Sequence, residues 1–220
     1  MKSYKGIVFD LDGTLLDTIE DLGNSVNEVL AYYGCPKHST AEYKLLVGNG
    51  MKRLLDSSFP QEKFQEINRQ EAFKLFQQVY DEKYMETTKP YEGIEVLLKS
   101  LQEGGIKLGV NSNKRDQYTK SLVHKFFPDI PFVLICGERE DYPRKPDPAA
   151  ATEIAAAMGL QPQDVLYIGD SEVDIETGKN AGMDTIGVAW GFRCWKELKK
   201  QGAVYITERP ADIVKIVAGL

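Results

Sequence analysis

Histidine and cysteine are scarce in this 220-residue chain, which has two of the first and three of the second. His38 and His124 are too few for a multi-histidine metal centre, and neither stands in a Ser/His/Asp or Cys/His constellation. Any metal must therefore be held by oxygen. Cys35, Cys136 and Cys194 are odd in number, far apart and without a Cys-x-x-Cys pair. That pattern excludes a disulfide framework and a zinc knuckle and reads as buried, reduced thiols of a cytoplasmic protein. No apolar run approaches the ~20 residues of a membrane span. Met1 to Phe9 lacks the apolar stretch and cleavage site of a signal peptide, so no membrane partner is expected. The chain also has no block of five like charges, no repeat and no low-complexity tract. With 33 acidic against 27 basic residues it carries a formal charge of -6, and nucleic acid is not an expected partner. An anionic substrate would be mildly repelled, so a phosphate site here must make its own positive field. Nothing in the sequence speaks to oligomeric state.

What is present is an alternation of short apolar runs with segments of helical period. Gly6–Phe9, Ile106–Val110, Phe132–Ile135, Val165–Ile168, Thr185–Val188 and Val204–Ile206 read as buried strands. Ile94–Leu101, Ala149–Met158 and Asp212–Val217 read as helices between them. Such alternation specifies an α/β fold with a Rossmann-like, doubly wound parallel sheet, and ligands beyond the carboxyl ends of its strands. From Asp17 to about Met85 the alternation stops. Ile19, Leu22, Val26, Val29, Leu30 and Tyr33 fall at helical spacing. Further helices are expected near Thr40, near Met51 and over much of Glu62–Tyr84. The expectation is an all-helical cap domain, residues 17–86, inserted into a core made of residues 1–16 and 87–220.

Four segments carry chemistry. Phe9-Asp10-Leu11-Asp12-Gly13-Thr14 ends the first strand with two carboxylates, for which a buried apolar strand has no structural use. An Asx turn would explain one aspartate and Gly13 but not the pair. Two carboxylates brought together raise each other's pKa unless a cation is present, which suits a hard metal and acid/base work. Asn111-Ser112-Asn113-Lys114 closes the second core strand, where Ser112 could cap the following helix or hold phosphoryl oxygens. Lys145, in Arg144-Lys145-Pro146-Asp147-Pro148, precedes a helix and is either solvated or a phosphate ligand. Gly169-Asp170-Ser171-Glu172-Val173-Asp174 ends another strand with two acids four apart, and capping explains one acid, not both.

In this order the four segments resemble the haloacid dehalogenase superfamily, over essentially the whole chain. The resemblance implies that Asp10 is the nucleophile and Asp12 the general acid/base. It implies Mg²⁺ on Asp10, Asp170 and the Asp12 backbone carbonyl, with Ser112, Asn113 and Lys145 on the phosphoryl group. Asp174 would support the metal or Lys145, and the Asp10 strand would lie between those of Ser112 and Asp170. The second aspartate favours metal-dependent phosphoryl transfer over halide displacement.

The helical insertion and Val47-Gly48-Asn49-Gly50-Met51-Lys52-Arg53 resemble the small-cap, phosphoglycolate phosphatase-like branch. The expected function is thus a phosphatase acting on a small phosphorylated metabolite through an aspartyl-phosphate. Gly48 and Arg53 are candidates for contact with its non-phosphate end, against a plain Gly-Asn-Gly turn with Arg53 solvated. A phosphomutase of the β-phosphoglucomutase type, a pyrophosphatase or a nucleotidase would share the motifs. A non-catalytic phosphate sensor is disfavoured by the intact set Asp10, Asp12, Lys145 and Asp170.

Overall fold

The computed structural model describes residues 2–220. The chain runs β1 (Gly6–Phe9), β2 (Leu16–Asp17), α1 (Ile19–Tyr32), α2 (Thr40–Leu46), α3 (Met51–Ser58), α4 (Arg69–Lys83) and β3 (Lys89–Pro90). It continues with α5 (Ile94–Glu103), β4 (Lys107–Arg115), α6 (Asp116–Phe126), β5 (Phe132–Glu138), α7 (Ala149–Ala157) and β6 (Val165–Gly169). The last elements are α8 (Glu172–Asn180), β7 (Asp184–Val188), α9 (Trp195–Lys200), β8 (Tyr205–Thr207) and α10 (Pro210–Ala218).

Every residue of β1 is buried, because both faces of its sheet are covered. Ile7 and Phe9 point into one apolar layer with Leu97, Leu101, Leu122 and Ile213 from α5, α6 and α10. Val8 points into the opposite layer with Ala151, Ile154 and Ala155 of α7. The same alternation divides Leu166 and Ile168 from Val165 and Tyr167 in β6. The main sheet has the order β5-β4-β1-β6-β7-β8, with all neighbours parallel. The chain enters at β1, winds outward through β4 and β5, and crosses back to β6. The topological switch therefore lies at β1, and the three central strands bring Asp10, Ser112 and Asp170 to one end.

Helices α1–α4 bury a cluster of their own that includes Leu22, Val26, Leu30, Tyr43, Leu54, Leu55, Phe76 and Tyr80. Tyr118 of α6 and Phe192, from the loop after β7, enter that same cluster and join the helical cap to the sheet. Both chain connections to the cap pass through one antiparallel ribbon, β2 with β3. Beside it the buried Asp21 carboxylate accepts from the Thr87 N–H at 2.9 Å, Thr87 Oγ1 at 2.6 Å, Thr88 N–H at 2.9 Å and Thr88 Oγ1 at 2.7 Å. Asp21→Ala would leave four donors without their acceptor, a loss of about 2–4 kcal/mol. In a chain of this size, differential scanning calorimetry should read it as a midpoint lower by about 4–16 °C.

The fourth helix, Arg69–Lys83, covers much of Glu62–Tyr84 as expected, and the Asn68 side chain accepts from the Gln70 and Glu71 N–H groups and fixes its start. Another boundary differs from the periodicity reading. The second core strand continues to Arg115, with a register shift between Asn111 and Arg115. Ser112 therefore lies inside β4 and does not cap α6, whose N-cap residue is Arg115. Cys194 is exposed, whereas Cys35 and Cys136 are buried. No described helix is long and apolar enough to cross a membrane.

Candidate active site

Where β1 ends, the Asp10 N–H still donates to the Ile168 carbonyl of β6 at 2.8 Å, which fixes the carboxylate at the sheet edge. The Lys145 ammonium reaches it from the loop before α7, at 2.6 Å from Asp10 Oδ1 and 2.7 Å from Asp174 Oδ1. All three side chains are buried. Asp174 gives its other oxygen to the Ser171 N–H and hydroxyl, at 3.1 and 2.5 Å, so it serves both the start of α8 and Lys145. Of the two supporting roles open to Asp174 in the sequence, the hydrogen bonds fit the one on Lys145.

Asp170 follows β6 and accepts from the Phe192 N–H at 2.6 Å through Oδ2. Gly13 and Gly191 pack against it so tightly that a Cβ on either would lie 2.4 or 2.3 Å from an Asp170 atom. Both positions need the missing side chain for this close approach.

Asp10, Asp170 and Asp174 each present a carboxylate oxygen, all within 4.8 Å of one another. Burial first, then the charge of Asp174, pushes the Asp10 carboxyl up to about 7, against the pull of Lys145. Burial and the charge of Asp10 hold the Asp170 carboxyl well above the usual carboxylate range. Asp10 Oδ2 and Asp170 Oδ1 share only the Thr14 hydroxyl, 3.4 Å from each. One O–H cannot donate to both, so this oxygen-rich, under-compensated group fits a hard divalent cation.

A cavity of about 520 Å³, its open mouth included, extends from the aspartates to the cap. Asp10, Asp12, Ser112, Asn113, Lys145, Asp170, Asp174 and Gly48 all line it. Asn113 is spent on the scaffold: its Nδ2 donates to the Gly48 and Lys145 carbonyls, and its Oδ1 accepts from the Lys145 N–H. Arg53 is the exception, exposed on α3 and absent from the lining. The apolar face of α3 turns Met51 and Leu54 inward, so a residue two after Met51 points out.

Two cations that the motifs did not single out border the cavity instead. Lys114, two residues after Ser112 in β4, pairs with both oxygens of Asp12 at 3.0 and 3.1 Å. It stood within the Asn111–Lys114 segment, and its nearness to Ser112 was the available signal. Arg193 belongs to a loop without a motif. It binds Glu172 at 3.0 Å, the Val47 carbonyl at 2.9 Å and the Lys44 carbonyl, tying the core to the end of α2.

Buried carboxylates and a buried lysine thus meet at the switch point of a doubly wound sheet, where such folds bind their ligands. The chain belongs to the haloacid dehalogenase-like hydrolase family, whose model matches residues 7–188. It is 32% identical to the phosphoglycolate phosphatase of Aquifex aeolicus, over 96% of this chain and 95% of that one. It is 27% identical to phosphoglycolate phosphatase 1 of Pseudomonas aeruginosa, over 94% of this chain and 78% of the relative. A solved structure of a candidate phosphoglycolate phosphatase from Lactobacillus delbrueckii superposes with a TM-score of 0.90 at 30% identity, covering 98% and 99% of the two chains. Family, relatives and site make this chain a phosphatase.

Proposed function

We propose that this phosphatase takes phosphate from a small phosphorylated acid of the phosphoglycolate type onto Asp10 and hydrolyses the aspartyl-phosphate, with Mg²⁺ as cofactor. The observation that carries the reading is the buried Asp10–Lys145–Asp174 arrangement beside Asp170, at the floor of a cavity roofed by the cap.

Asp10, Asp170 and the Asp12 carbonyl would hold Mg²⁺, which supplies positive charge against the phosphate dianion. Lys145 adds to that field: burial would lower its pKa, but the charges of Asp10 and Asp174 more than offset this and raise it well above the ordinary value. The ammonium is therefore permanently charged and fixed between two carboxylates. A carboxylate oxygen of Asp10 forms the new bond to phosphorus as the ester P–O bond breaks, and the leaving oxygen takes a proton from Asp12. Water then attacks phosphorus and gives its proton to Asp12. The bond to Asp10 breaks, and phosphate leaves with the aspartate restored. Ser112, lining the cavity two residues before Lys114, would hold a phosphoryl oxygen.

Residues 17–86 would act as a cap that moves on the β2–β3 ribbon and excludes water when closed. Leu22, Val47, Met51, Leu54 and Phe192 form an apolar wall suited to a short carbon skeleton. Three free cysteines, two of them buried, accord with a reducing cytoplasm. Steady-state phosphate release from a panel tests the substrate class. 2-Phosphoglycolate should give a kcat/KM at least about tenfold above glucose phosphates, nucleoside monophosphates and pyrophosphate. A higher value for pyrophosphate or a nucleotide, or an isomerised sugar phosphate as product, would overturn it.

A further inference from the structure

The cavity has three cations at its border, and two of them are already committed. Lys145 is held between Asp10 and Asp174 on the phosphate side. The Arg193 guanidinium is occupied by Glu172 and the carbonyls of Lys44, Leu45 and Val47. Lys114 is different. Its side chain is only 1% exposed, and among the described residues the Asp12 carboxylate is its one ion-pair partner. One carboxylate cannot use all three N–H donors of an ammonium at good geometry, and the other group beside it, the Tyr80 side chain with its ring centroid 5.1 Å away and its hydroxyl within reach of the ammonium, brings no second anion. No charged side chain of the cap lines the cavity.

We infer that Lys114 is the residue that recognises the anionic group of the leaving alcohol, and that it selects phosphate esters of α-hydroxy acids. The inference rests on the phosphatase reading above, in which Asp12 serves the ester oxygen. Lys114 lies 3.0 Å from Asp12, so a carboxylate reaches both the ammonium and its place beside Asp12 only if few bonds separate it from that oxygen. In an α-phosphooxy acid the carboxylate carbon is two bonds away. Longer or neutral skeletons meet only the apolar wall. The ammonium shifts a bond from Asp12 to the substrate carboxylate, and this frees the Asp12 oxygen that faces the ester.

The test compares 2-phosphoglycolate with ethyl phosphate, which replaces the carboxylate with a methyl group. Wild type should prefer the acid. Lys114→Met should lower the ratio of the two kcat/KM values by about 10–100-fold, the worth of a hydrogen bond to a charged group. Lys114→Arg, which keeps the charge, should retain most of the ratio. Independently of any variant, glycolate should inhibit wild-type hydrolysis of ethyl phosphate far more strongly than ethanol. A wild type without preference for the acid would remove the substrate reading and this inference together. A preference that survives in Lys114→Met, or equal losses on both esters, would overturn the role of Lys114 alone and leave the substrate reading standing.

Discussion

Asp10→Asn should abolish turnover, lowering kcat by at least about 10⁴-fold, the scale seen when a covalent nucleophile is removed. An amide is a poor nucleophile toward phosphorus, and nothing else near the switch point replaces it. Ser112 is the serine of the central strands, but its Oγ is engaged by the Lys114 N–H at 3.2 Å. Collapse of the fold is not the expected cause. Asparagine matches aspartate in shape, and Lys145 keeps Asp174 at 2.7 Å. Circular dichroism of the variant should therefore match wild type, and stopped or continuous phosphate assays should read only background.

Removal of divalent metal should be nearly as severe. With a strong chelator, activity should fall by about 10²-fold or more and return with Mg²⁺, because oxygen ligands of this kind suit a hard cation. The physical origin is visible in the cluster itself: buried Asp10, Asp170 and Asp174 present carboxylate oxygens within 4.8 Å of one another with one ammonium among them. A readout that does not depend on turnover is available. A cation that binds only the folded state at about 100 times its Kd adds about 2.7 kcal/mol, a rise of about 5–11 °C in the midpoint for a chain of this size. Asp170→Ala should shrink that rise. Full turnover in chelator would remove the oxygen-ligand metal site.

The sheet and the four motifs were legible because both follow from short-range rules. Buried parallel strands must be continuously apolar, so Gly6–Phe9 and Val165–Gly169 announce themselves, and carboxylates at their tips stand out against that background. Helix starts were less legible where a side-chain cap decides them. Asn68 fixes the start of the fourth cap helix at Arg69, which the expected span within Glu62–Tyr84 left open. Least legible were contacts made between distant segments. Asp21 reads as an ordinary acid in the first turn of α1, and only the return of the chain at Thr87–Thr88 gives it its four donors. Arg53 looked suited to the cavity by its nearness to Gly48 and Gly50, but the apolar side of α3 carries Met51 and Leu54 inward and leaves Arg53 in solvent. Arg193 is 146 residues from Val47 in sequence, and no local pattern brings them together. Lys114 lies between these extremes, since it stands in the same segment as Ser112 while its partner Asp12 comes from the turn after β1.

The central claim is that phosphate passes through Asp10. Its most direct measurement is a rapid acid quench, at a series of times, of Asp12→Asn, the variant expected to slow both transfer and dephosphorylation, mixed with Mg²⁺ and 2-phosphoglycolate, followed by peptide mapping in acid by mass spectrometry. The account predicts one phosphorylated peptide carrying Asp10, which disappears when Asp10→Asn is added to the same variant. Phosphate on another residue, or phosphate still trapped in the Asp10→Asn protein, would contradict it.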